Sequence, residues 1–103
     1  MDTEGRPTTK QKEQEAVIPV YDRLVRMTDV LTASIYGVIH RRAAEDPERK
    51  YRGTLQEIAE TLNIARQNAA HHIALLKALG LIFDEHDGQR GKPHVYRDMG
   101  DFD

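Results

Sequence analysis

At 103 residues with 39% hydrophobic content, the chain has the size of one domain with a single modest core. The absence of cysteine excludes a disulfide framework, thiolate chemistry and a zinc–cysteine site. No apolar run reaches the roughly 18 residues that span a bilayer, so the chain reads as soluble, cytoplasmic and without membrane contact, and its net charge of −2 argues against nucleic acid unless the charge is unevenly spread.

Residues 1–12 are polar, lack large apolar side chains and are expected to form a disordered tail. Apolar content rises from residue 13 through Val17, Ile18, Val20, Tyr21, Leu24, Val25 and Met27. Pro19 biases Ile18 towards extended backbone and predicts a break followed by a short helix. This much apolar surface either covers an open side of the core or meets a second copy, which makes residues 13–30 an extension and a candidate dimerisation element.

Residues 31–46 read as the first helix of the domain. Thr32 is its expected cap, Ile35, Tyr36, Ile39 and Ala43 its inward stripe, and Asp46 with Pro47 its end. Gly37 within it costs about 1 kcal/mol relative to alanine and predicts close approach by another element.

Thr54, Leu55, Gln56 and Glu57 have the form of a capping box, so a second helix starts there and continues through Ile58, Ala59 and Leu62. Asn63 tolerates the left-handed conformation that ends a helix sharply, and Ile64 is expected in the corner. A third helix follows. Ala69, Ile73, Leu76 and Leu79 make one apolar stripe at helical spacing, while Arg66, Gln67, Asn68, Ala70, His71 and Lys77 occupy other faces. Such a polar face offers bidentate donors and acceptors separated by small residues, suited to base edges in a groove. Two helices joined by so short a turn spell a helix-turn-helix. Gly80 then stops the third helix, Leu81, Ile82 and Phe83 begin a strand, and the turn residues Asp87, Gly88, Gln89, Arg90, Gly91, Lys92 and Pro93 lead into a returning strand at His94, Val95, Tyr96 and Arg97.

Residues 56–64, together with Leu79, Gly80, Leu81, Ile82 and the basic glycine-containing hairpin, resemble the winged helix-turn-helix superfamily over about half the chain. The departures are Ala65, where that superfamily usually has a serine or threonine cap, and Ala69, where it usually has valine or isoleucine. The resemblance implies that the hairpin is the wing, that a short strand near Tyr51, Arg52 and Gly53 pairs with it, and that His72 is half-buried between helices while His71 faces outward. It also implies contact with DNA. More loosely, Val17, Ile18, Pro19 and Val20 followed by the helix from Leu31 resemble the winged-helix domains of plasmid and phage replication initiators.

The charge distribution fits that expectation. Residues 49–97 carry eight lysines and arginines against five acidic residues, whereas residues 1–48 carry seven against nine and three aspartates follow from Asp98. The excess is small, which implies weak non-specific affinity and a need for a dimer. Arg66, Gln67, Asn68 and His71 are the candidates for base edges. Arg49, Lys50, Arg52, Thr54, Arg90, Lys92 and Arg97 are the candidates for phosphate or wing contact. Asp84, Glu85 and Asp87 beside the wing would repel phosphates, so a protein-binding module is the alternative. A metal or an enzyme is not expected: adjacent histidines on a helix point roughly 100° apart and cannot clasp one ion, His86 and His94 could meet across the hairpin but without cysteine, and no nucleophile or phosphate-loop motif is present. The expectation is therefore a mainly α domain with a small β-hairpin at residues 31–98 and an acidic tail at 99–103. It binds double-stranded DNA as a homodimer without cofactor, to regulate transcription or, alternatively, to serve plasmid or phage replication or maintenance.

Overall fold

The helix from Val30 to Ala44 is apolar on nearly every side, with Thr32, Ala33, Ile35, Tyr36, Val38, Ile39, His40 and Ala43 all buried, and a helix of that kind must sit at the centre of its fold. In the computed structural model, which describes residues 17–86 and 93–102, it does. Among the described residues the order is α1 (Asp22–Met27), α2 (Val30–Ala44), β1 (Lys50–Tyr51), α3 (Leu55–Leu62), α4 (Arg66–Ala78), β2 (Ile82–Asp84) and β3 (Tyr96–Asp98). Helix α2 touches α1, α3, α4, β1 and β3. The result is mainly helical with a three-stranded antiparallel sheet in the order β1–β3–β2. None of the described helices is long and apolar enough to cross a membrane. The tail expected at 1–12 and the hairpin tip with Arg90 and Lys92 lie outside the described residues.

The cap of α2 differs from the expectation. Asp29, not Thr32, is the N-cap, its Oδ1 accepting the Thr32 amide at 2.7 Å. A carboxylate at that position meets both the unpaired amides and the positive end of the helix, and Thr32, one turn inside, is left for another contact. At Gly37 the predicted close approach is real. A Cβ there would lie 2.0 Å from the Pro19 carbonyl oxygen, because the extended chain at 18–20 crosses α2 at that point. Leu24 is fully buried, and Ile18, Tyr21 and Val25 pack against the same core. The extension therefore covers the open side of the core, and the short helix after Pro19 is α1.

Residues 99–102, expected as an acidic tail, fold back on the domain, and Asp103 lies outside the described residues. Phe102 stacks on Tyr21 with ring centroids 5.1 Å apart, the Arg23 guanidinium lies over the Phe102 ring at 4.5 Å from its centroid, and the Met99 amide donates to the Leu81 carbonyl at 2.9 Å. Burying one aromatic ring outweighs the exposure preferred by the neighbouring aspartate. Asp98 itself is 8% exposed, and its carboxylate accepts from Tyr36 Oη at 2.7 Å, His40 Nδ1 at 2.6 Å and the Gly100 amide at 3.0 Å.

Strand register follows the period of two. Ile82 pairs Asp98, Phe83 pairs Arg97 and Asp84 pairs Tyr96, while Lys50 pairs Arg97 and Tyr51 pairs Tyr96. Ile82, Asp84, Tyr51 and Tyr96 face inward and Phe83 faces outward. Both hairpin strands sit slightly later than the sequence suggests, at 82–84 and 96–98.

Candidate nucleic-acid interface

Helix α3 begins as the capping box predicts, with Thr54 Oγ1 accepting the Glu57 amide at 3.0 Å. The reciprocal bond is replaced: the Glu57 carboxylate accepts from Arg42 Nη2 at 3.2 Å, which ties α3 to α2. Tyr51, fully buried, donates its hydroxyl to the Thr54 carbonyl at 2.9 Å, and burial pushes that hydroxyl up to about 12. Helix α3 ends on Asn63 at φ 56° and ψ 49°. The Ile64 amide returns to the Ala59 carbonyl at 2.9 Å and the Asn63 amide to Glu60 at 3.2 Å, the paired bonds of a left-handed helix stop.

Helix α4 closes with the same device. Gly80 has φ 76°, with the Leu81 amide on Leu76 at 3.0 Å and the Gly80 amide on Lys77 at 3.1 Å. Its start has no side-chain cap, as Ala65 implies. Ala69, Ile73 and Leu76 are buried, but Leu79, at the C-cap and at the edge of that stripe, is 41% exposed. His72 is half-buried, its Nδ1 2.6 Å from Thr32 Oγ1, and His71 is exposed.

The outward face carries Arg66, Gln67, Asn68, Ala70, His71 and Ala74, all exposed. Among the described residues, Arg66, Gln67 and Asn68 have no hydrogen-bond or ion-pair partner, and His71 meets only the ring of His72, edge-on at 5.4 Å. Four candidates for base edges are thus together on one free surface, held from behind by three apolar side chains and at each end by a left-handed turn.

The phosphate candidates are placed differently. Arg49, in the left-handed region at φ 61°, points to Asp98 at 3.3 Å. Lys50 lies between Glu48 at 3.1 Å and Glu85 at 3.0 Å, with 14% of its side chain exposed. Arg52 holds Asp46 at 2.8 Å and Glu48 at 2.7 Å. Arg97 holds Glu85 at 2.6 Å. The Arg52 guanidinium keeps the Asp46 carboxyl below its usual range, Lys50 and then Arg52 do so for Glu48, and Lys50 does so first for Glu85. Of the acidic run that looked awkward beside a phosphate, Glu85 is therefore compensated from within, and Asp87 lies outside the described residues. Asp84 is buried, accepting from His94 Nδ1 at 2.6 Å and the His86 amide at 3.0 Å. The cations that compensate are the ones expected to meet DNA.

The ring of His86 donates from Nδ1 to the Pro93 carbonyl at 2.6 Å, while that of His94 is on Asp84. Among the described residues no three histidine, aspartate or glutamate side chains gather as a metal site. Sequence reasoning missed Asp29, the Tyr36, His40 and Asp98 cluster, and the Arg42–Glu57 link. The spacing of Tyr36 and His40, one helical turn apart, was a usable signal for the first half of that cluster; Asp98 offered none. Comparison with protein-family models, with curated proteins and with solved structures gives no match to this chain.

Proposed function

We propose that the chain is a winged helix-turn-helix protein that binds double-stranded DNA site-specifically and regulates transcription, with α4 entering the major groove N-terminus first. The observation that carries this reading is the free polar face of α4. Three exposed side chains in succession, an arginine, a glutamine and an asparagine, have no hydrogen-bond or ion-pair partner there among the described residues. Arg66 suits the two acceptors of guanine, and Gln67 and Asn68 suit the acceptor and donor of adenine. Because Lys50, Arg52 and Arg97 are occupied by carboxylates, the non-specific electrostatic contribution is small, and discrimination rests on α4 more than on charge.

A homodimer belongs to the proposal, because one such helix reads few base pairs and two paired copies read half-sites about one helical turn apart. Service in plasmid or phage replication would use the same surface, on a different site. Selection from a random duplex pool, followed by titration of the selected site with salt, tests the reading. A recovered motif with a shallow salt slope is expected. The pairing of the flanking cations favours one other reading, a protein-binding module that uses the α4 face with the exposed Leu75 and Leu79; a pool that returns no motif selects it.

A further inference from the structure

One polar side chain of α4 turns inward. His72 leaves 14% of its side chain exposed and places Nδ1 2.6 Å from Oγ1 of Thr32, which is fully buried on α2. The same hydroxyl lies 3.1 Å from Asp29 Oδ2, while Asp29 Oδ1 accepts the Thr32 amide. The proton count fixes the direction of these bonds. A hydroxyl has one proton, and a carboxylate only accepts. The Thr32 amide, first, and then the Thr32 hydroxyl hold the Asp29 carboxyl below its usual range, so it is ionised near neutrality. Thr32 therefore donates to Asp29, and His72 donates to Thr32 from Nδ1. The reverse order would set the hydroxyl oxygen's lone pairs against the carboxylate.

We propose that this chain of donors, from His72 through Thr32 to the cap of α2, is the pin that sets the rotation of α4 about its axis. The inference rests on the DNA reading of α4 and makes His72 a positioning residue for it. The need for a pin follows from the seat. The N-terminal half of α4 has no side-chain cap and only Ala69 as an apolar anchor, and a methyl group gives little resistance to rolling. A short directed bond does resist it. With His72 fixed inward, His71 lies about 100° further round the helix, and Arg66, Gln67 and Asn68 are carried by the same rigid helix to the outer face.

The test uses the full chain, with three variants. Thr32→Val keeps the shape and removes the hydroxyl. His72→Asn keeps an N–H donor near the Nδ1 position, and His72→Gln moves it towards Nε2. The readout is the ratio of affinity for a selected duplex to affinity for random duplex, together with nitrogen-detected NMR of the His72 ring in the unmodified chain. Thr32→Val and His72→Gln are expected to lower the ratio roughly three- to tenfold, the worth of one hydrogen bond, His72→Asn to hold it, and the ring proton to be on Nδ1. A ring proton on Nε2 with none on Nδ1, or an unchanged ratio in Thr32→Val and His72→Gln, overturns the pin. If the unmodified chain shows no preference among duplexes, the DNA reading fails by itself. The pin is then decided by the ring proton and by residual dipolar couplings of α4 against α2, which change in Thr32→Val if the pin holds and stay fixed if it does not.

Discussion

Two polar surfaces of this molecule are differently committed. On α4, Arg66, Gln67, Asn68 and His71 stand free, whereas beside β1 and β3 the cations Arg49, Lys50, Arg52 and Arg97 are each bound to a carboxylate of the same chain. Exposure alone does not make a charge available. A side chain that already has a partner must leave it to reach a ligand, and although an exposed pair is worth only about 0 to 1 kcal/mol, the local field is neutralised before any ligand arrives. Residues 49–97 hold an excess of basic residues, yet among the described ones Arg66 on α4 stands without a carboxylate partner.

The largest effect should come from the free surface. Arg66→Ala is expected to weaken binding to the selected duplex by at least about 2 kcal/mol, since it removes a bidentate base contact and a charge; titration by fluorescence anisotropy checks it, and an unaltered affinity would erase the contrast between the two surfaces. Releasing the committed surface comes next. Glu48→Gln combined with Glu85→Gln frees Lys50 and Arg97 and half-frees Arg52, and should raise affinity for random duplex while steepening the dependence of log affinity on log salt by up to about two units. A slope that does not move would mean that these cations never approach phosphate.

The same pairs predict where stability responds to acid. Glu48 and Glu85 are held below their ordinary value of 4.5, so the stability they contribute is present above that value and is lost as the pH falls through their lowered folded values. The double glutamine variant should flatten that part of the stability curve, read by urea titration between pH 5 and 2. At the alkaline end Tyr51 behaves oppositely. Raised from 10.0 to about 12, its contribution is present below 10.0 and is lost as the pH rises towards 12. Tyr51→Phe should remove this alkaline loss while costing about 1 kcal/mol near neutrality for the bond to Thr54. The smallest effect expected is that of Arg52→Ala, under about 1 kcal/mol in stability and within error for the selected duplex.

Much of the helical frame was legible in the sequence because each signal was local. Thr54 and Glu57 announced the start of α3, Asn63 and Gly80 the two left-handed stops, and Gly37 the crossing of another segment, each through backbone chemistry confined to a few residues. The polar face of α4 was legible for the same reason, since helical spacing places Arg66, Gln67, Asn68 and His71 away from Ala69, Ile73 and Leu76. What was not legible depends on residues distant in sequence. The meeting of Lys50 with Glu85, of Arg49 and His40 with Asp98, and of Phe102 with Tyr21 comes from β1 and β3 pairing and from the chain end folding back, which no periodicity encodes. Thr32 illustrates the limit at short range: its position suited a cap, but Asp29 lay three residues earlier and a carboxylate wins at a helix start.

If sequence discrimination resides in the free face of α4, Asn68→Ala reveals it most directly. Its affinity should be measured on the selected duplex and on random duplex at one salt concentration, alongside thermal unfolding. A loss of roughly 1 to 3 kcal/mol is expected on the selected duplex, with little change on random duplex and an unchanged melting temperature, because the Asn68 side chain is exposed and makes no hydrogen bond to a described residue. Equal affinity of variant and unmodified chain for the selected duplex would contradict it.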